Sequence, residues 1–298
     1  MYLFDREAQA PEGGAGAVFK LYHYDPTIAG GVVFVLLFTG TTLLHFWQLT
    51  RARSWFLIPM AIGGIFEIIG YAARCKSGNE SPDWTLGPYI IQAILLLVAP
   101  ALFAATIYME LGRIITMVDG EGHTLIPKKW MTKIFVIGDV FSFFLQGGGG
   151  GYQAGGSLAA LQNGAKVIIG GLFVQLICFG VFICIAVAFH RSILASPTSR
   201  SKRIPWKKHM MALYVGSMLI MVRSVFRAIE YLQGFDGYLL RHELYLYVFD
   251  ALLMFSVMVL FNWVHPAEIT AILKGRDMGS GWKMDAVPNS HRRLRSEA

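Results

Sequence analysis

Six ionisable residues lie inside long apolar stretches of this sequence: Glu67, Asp139, Arg223, Arg227, Glu230 and Asp250. A charge surrounded by hydrocarbon is expensive, so each is a candidate for function. Arg223, Arg227 and Glu230 follow i, i+4, i+7 spacing and share one helix face. The chemistry open to such a set is narrow. Carboxylates in a low dielectric can hold an ammonium or hydroxyl head group, or can titrate and pass protons. Arginine can clamp a carboxylate through two hydrogen bonds, so the same residues could instead be interior salt bridges that fix helix packing. Gln92, Gln146, Gln175 and Asn262, with Gly147, are uncharged candidates for lining a cavity between the charged spans.

Other motifs exclude more than they suggest. Gly147–Gly151 is a run of five glycines followed by Gly155 and Gly156, with no lysine and hydroxyl residue after it, so it is not a phosphate loop. It reads as an outer loop or close helix packing, or as a broken helix whose bare backbone lines a cavity. Among the histidines only His45 falls well inside an apolar run; His190, His209, His242 and His265 fall at or beyond the edges. An intramembrane zinc hydrolase needs several at one depth, so neither a metal nor another cofactor is expected. Cys75, Cys178 and Cys184 are too few and too scattered for a disulfide framework or a CxxC pair.

These residues need a scaffold, and the composition specifies its class. Apolar residues make up 55% of the 298 and charged residues only 15%, with a mean hydropathy of +0.51. The excess is gathered into runs near the roughly 20 residues that a helix needs to cross a bilayer. No alternating barrel pattern is present, so the fold class is all-α, a polytopic membrane protein of seven transmembrane helices. The spans read as Thr27–Gln48, Ser54–Ala73, Leu86–Met109, Thr132–Tyr152, Val167–Phe189, Met211–Leu232 and Leu244–Val264. Pro59 falls in the first turns of the second span, and Pro100 lies inside the third, where it should kink the helix.

Orientation follows from the basic residues of alternate loops. Seventeen lie on one side, among them Arg51, Arg53, Arg113, Arg200, Lys202, Arg203, Lys207, Lys208 and the tail cluster Arg292, Arg293 and Arg295. Six lie on the other: Arg6, Lys20, Arg74, Lys76, Lys166 and Arg241. Residues 1–26 therefore form an extracytoplasmic tail, 27–264 the membrane domain and 265–298 a basic cytosolic tail. Residues 1–26 lack an apolar stretch, so the first span is expected to act as an uncleaved anchor. Asn79-Glu80-Ser81 is a glycosylation sequon on the outer side. The net charge of +7 sits in loops as a topology signal that also attracts anionic lipids, and no nucleic-acid partner is implied. No loop could hold a nucleotide-binding domain, and an enzyme is not expected.

Depth can be counted at about 1.5 Å per residue from the cytosolic edge. Glu67 then lies roughly 20 Å in, Arg223 roughly 18 Å, Arg227 roughly 24 Å and Asp250 roughly 21 Å. Two acids and two arginines thus share one layer.

The chain resembles a known family from about Tyr22 to Glu268: the fungal lipid-translocating exporters, or resistance-to-aminocholesterol-like proteins. The resemblance is carried by Glu67-Ile68-Ile69-Gly70-Tyr71 with Arg74, Gly87-Pro88-Tyr89 with Gln92, Ala99-Pro100, Tyr108-Met109, Gly112-Arg113 and Gly138-Asp139-Val140 with Gln146. Further carriers are Gly171-Leu172-Phe173-Val174-Gln175, Arg223 with Phe226-Arg227, Glu230-Tyr231, Gly234, Glu243, Tyr247-Val248-Phe249-Asp250, and Asn262 with His265-Pro266. It implies seven spans, an outside N-terminus, and export or translocation of sphingoid long-chain bases with tolerance of sterol analogues and azoles. Membrane lipids and an amphiphilic lipid substrate are then the expected partners, and the plasma membrane the expected site. The chain departs from the family pattern in its longer glycine run and short N-terminal tail. The alternative is a seven-span lipid sensor that regulates other membrane proteins. Rhodopsin-like marks are missing, since the last span ends Asn262-Trp263-Val264-His265-Pro266 and carries no lysine for retinal.

Overall fold

A computed structural model of the chain describes residue 24 and residues 26–81, 83–153, 157–234, 237–273, 276–278 and 284–286. Six long helices come first: α1 Ile28–Ala52, α2 Ile58–Asn79, α3 Leu86–Met117, α4 Lys128–Gln153, α5 Leu158–Ala195 and α6 Trp206–Leu232. The seventh crossing is composite. A short α7 (Glu243–Leu246) runs into a π-helical turn, Tyr247–Ala251, and then into α8 (Leu252–Trp263). After a break at Pro266, α9 (Ala267–Leu273) follows. Outside the bundle, β1 (Arg276–Met278) and β2 (Met284–Ala286) pair antiparallel in the tail.

Seven helical segments are long and apolar enough to cross a membrane, which makes this a seven-span integral membrane protein. Every backbone polar group in hydrocarbon must be satisfied within the protein, and long helices achieve nearly all of that internally. Large apolar side chains such as Leu36, Ile137, Phe144, Ile177 and Met218 are exposed, as a lipid-facing surface requires. The interior is filled by Phe38, Met60, Phe103, Ile107, Met258 and Phe261. Helix α3 is the hub, packed against α2, α4, α6 and α9.

The helices overrun the expected spans. Helix α2 continues past Ala73 to Asn79, α3 past Met109 to Met117, and α5 covers Leu158–Ala195 where only Val167–Phe189 was expected. Once a helix is nucleated, each further residue adds a hydrogen bond, so polar residues extend it beyond the hydrocarbon. Arg74, Lys166 and Arg191, which read as loop residues, are consequently helical. Local signals set several ends. Pro59 occupies the first turn of α2, Ser157 caps α5 by accepting from the Ala160 amide at 3.1 Å, and Arg53 closes α1 in the left-handed conformation.

The glycine run forms neither a loop nor a break: Gly147–Gly151 is helical and belongs to α4. Of its five members only Gly149 is tightly packed. A Cβ there would stand 2.7 Å from the Gly164 carbonyl of α5, whereas the other four have open space. Gly149 lets the two backbones touch, as small residues do where apolar driving force is absent. Gly149→Leu is therefore expected to destabilise the purified protein by about 1–3 kcal/mol in thermal unfolding. Gly147→Ala and Gly150→Ala should be neutral or stabilising by up to about 1 kcal/mol.

Candidate functional site

Proline creates the anchor of the site. Pro100 has no N–H, so within α3 the carbonyl four residues earlier, at Leu96, lacks its helical donor. That carbonyl accepts instead from Arg223 Nη2 of α6 at 2.8 Å. Arg223 Nε donates to Asp250 Oδ1 in an ion pair, both side chains being buried. Asp250 sits in the π-helical turn, a device that re-aims side chains and recurs at functional sites. Glu67 of α2 is buried within electrostatic reach of Asp250 and Arg223, and no described residue bonds its Oε1. Four spans thus meet in one charged layer.

One turn further along α6, Arg227 donates to Glu230 Oε2 at 2.6 Å and lies over the Tyr231 ring. Beside it is a group that the residue pattern did not single out. Arg74 has 1% of its side chain exposed. Its Nη2 donates to Glu243 Oε1 and to Tyr24 Oη, both at 2.7 Å, and its Nε reaches Tyr247 Oη at 3.2 Å. Both Glu243 oxygens accept from the Thr27 amide at 3.0 Å, which ties the starts of α1 and the seventh crossing to α2. Burial pushes the Tyr24 hydroxyl above its ordinary range, with Arg74 opposing, so the phenol stays neutral and accepts. In the sequence Arg74 and Glu243 stand at the edges of apolar runs and among the residues that carry the family resemblance, with nothing in composition to pair them.

Between these groups lies a cavity of about 130 Å³, lined by Arg74, Tyr89, Gln92, Arg223, Arg227, Glu230 and Asp250, with leucines of α3 and of the α6–α7 connection. Its wall pairs three arginines with carboxylates. Of the five residues expected to line a cavity, only Gln92 does so here. Gln146 donates to Ser142 Oγ at 2.6 Å and to Gln175 Oε1 at 3.2 Å, and Ser142 donates to the Gly171 carbonyl, so these residues fasten α4 to α5. Gly147 is on the exposed side of α4. Asn262 donates to the Thr41 carbonyl near the opposite end of the bundle. Asp139 also stands apart. It accepts from Tyr108 Oη at 2.9 Å, among the rings of Phe135 and Phe182 that pack against Tyr108.

Fold and site together define a seven-helix membrane protein with a charge-paired cavity between α2, α3, α6 and a π-distorted seventh span. The chain belongs to the family described as RTA1 like protein, which it matches over residues 60–272. It is 37% identical to Protein RTA1 of Saccharomyces cerevisiae over 274 residues, covering 83% of this chain and 85% of that protein. It is 38% identical to Protoporphyrin uptake protein 1 of the same yeast, covering 82% and 91%. A more distant relative, at 26% identity and 81% and 72% coverage, is the Sphingoid long-chain base transporter RSB1 of Saccharomyces cerevisiae. No solved structure matches.

Proposed function

We propose that this protein translocates or exports amphiphilic lipids, sphingoid long-chain bases foremost, and so confers resistance to membrane-active compounds. The observation that carries this reading is the cavity itself. Its size suits a head group and not an acyl chain, so the chain of a bound lipid stays in the apolar surroundings. Asp250 and Glu230 offer carboxylates to an ammonium and hydroxyls from the cavity wall, Glu67 stands buried behind them within electrostatic reach of Asp250, and the arginines offset the carboxylates when the site is empty. The relative named as a sphingoid base transporter supports the substrate class. In this reading the N-terminus faces outside, the tail is cytosolic, the membrane is the plasma membrane, and no bond is made or broken. The three arginines, with a relative named for protoporphyrin uptake, favour a second ligand type: an amphiphile bearing carboxylates.

Purified protein in liposomes with a fluorescent sphingoid base tests the proposal. A translocator moves the lipid unaided, whereas a sensor leaves it in place. Asp250→Asn and Glu67→Gln keep shape and remove charge, so movement is expected to fall at least tenfold while folded protein is retained. Lys283→Gln in the tail should change little. Unaltered movement in a folded Asp250→Asn/Glu67→Gln variant would leave these carboxylates as packing clamps only. Excess protoporphyrin should compete if the arginines serve the second ligand type.

A further inference from the structure

A second polar cluster lies at the opposite end of the bundle. Glu110 of α3 is fully buried, and among the described residues no hydrogen-bond donor reaches either carboxylate oxygen. Facing it is His209 in the first turn of α6, also fully buried, with Nδ1 3.9 Å from Glu110 Oε1. The other ring nitrogen, Nε2, stands 3.4 Å from Oε2 of Glu268 in α9. The same oxygen accepts from Lys208 Nζ at 2.5 Å. Around this core stand His45 of α1, whose Nε2 is 3.1 Å from the Met258 carbonyl, and His265 of the α8–α9 turn, their ring centroids 6.3 Å apart. Arg113 of α3 lies over the Phe56 ring and donates to Thr270 Oγ1 of α9 at 3.3 Å. His209 and His265 were expected at the edges or beyond. The overrun of α3 and α6 brings His209 inside, and the fold-back of α9 covers His265.

We propose that Glu110, His209 and Glu268 form a proton-binding site that fastens α9 to the helix bundle. A buried carboxylate without donors cannot stay an unpaired anion, because the lost hydration costs far more than packing returns. One proton, held on Glu110 or on the His209 ring 3.9 Å away, removes that penalty, and in the second case the imidazolium also attracts Glu268. When the proton leaves, Glu110 becomes an uncompensated anion, and lifting α9 to admit water relieves it. Docking is therefore tightest with the proton bound and weakens as rising pH removes it. The site is distinct from the charged cavity. Glu110 and Leu96 are fourteen residues apart on α3, roughly 21 Å, with Phe38, Phe103, Ile107, Met254 and Met258 buried in the bundle's apolar core. A proton and an amphiphile would thus bind at opposite ends of one helix, the arrangement that coupling between them requires.

Hydrogen–deuterium exchange of α9 in the full chain, held in lipid nanodiscs without added substrate, tests this independently of the cavity's ligand. Corrected for intrinsic rates, protection of residues 267–273 is expected to fall about tenfold when pH is raised from about 5 to 8, the window in which a histidine-containing pair is tested. Glu110→Gln and His209→Gln should each flatten the profile. Lys208→Gln should lower protection at every pH and keep the step. A flat wild-type profile, or a step that survives Glu110→Gln or His209→Gln, overturns the proposal. If either variant fails to fold, the wild-type profile still decides.

Discussion

Arg223→Met is expected to be the most damaging single substitution in the membrane domain. It leaves Asp250 a buried carboxylate without its ion-pair partner, takes the donor from the Leu96 carbonyl, and withdraws the positive charge that faces Glu67. Breaking a buried pair by removing one partner costs about 3–5 kcal/mol, and an orphaned buried carbonyl costs about 1–3 kcal/mol. The measurement is the monodisperse yield and melting temperature of detergent-purified protein. Arg223→Met/Asp250→Leu, which removes both charges, should recover most of the lost stability, because an apolar pair of similar volume replaces an ion pair at little net cost. Under the proposed function the recovered double variant should still fail to move lipid. Recovery of both stability and transport would reduce the pair to a clamp.

Arg74→Met is expected to come second, with a loss of about 3–5 kcal/mol. Arg74 joins α2 to the start of the seventh crossing through Glu243 and to the chain before α1 through Tyr24. A graded series separates these links. Tyr24→Phe removes one neutral acceptor and should cost about 1 kcal/mol. Glu243→Gln removes the charge but keeps an acceptor for the guanidinium and the Thr27 amide, so it should fall between the two. Thermal unfolding of the three variants in one detergent gives the order. A larger loss from Glu243→Gln than from Arg74→Met would mean that the hydrogen bond from the Thr27 amide, and not the guanidinium, holds this corner.

What could be read from the residues divides along physical lines. Seven apolar runs specify seven helices because hydrocarbon leaves the backbone no other partner. The common depth of Arg223, Arg227, Asp250 and Glu67 followed from the constant rise of a helix, whereas the pairing of Arg223 with Asp250 and of Arg227 with Glu230 did not. Depth carries no information about which face a residue occupies, so Asp139, Gln146, Gln175 and Asn262 proved to serve other contacts. Glu110 lies just past the apolar edge and carried no signal there, and Arg74 read only as an outer loop charge and a family residue, because both stand on helix that persists after hydropathy has ended. The π-helical turn at Tyr247–Ala251 leaves no compositional mark. The glycines of α4 remain helical because packing at Gly149 outweighs a propensity cost of about 1 kcal/mol per residue.

The link from Pro100 through the Leu96 carbonyl to Arg223 has a consequence for inheritance. A proline in a helix is usually a defect that neighbouring structure tolerates, yet here it frees an acceptor that a buried guanidinium uses. Were position 100 to regain an N–H, that amide would compete with Arg223 for the same oxygen; were position 223 to lose its donor, the proline would only weaken α3. The two positions, on different helices and 123 residues apart in the chain, therefore make one unit under selection, and drift at either is constrained by the residue at the other.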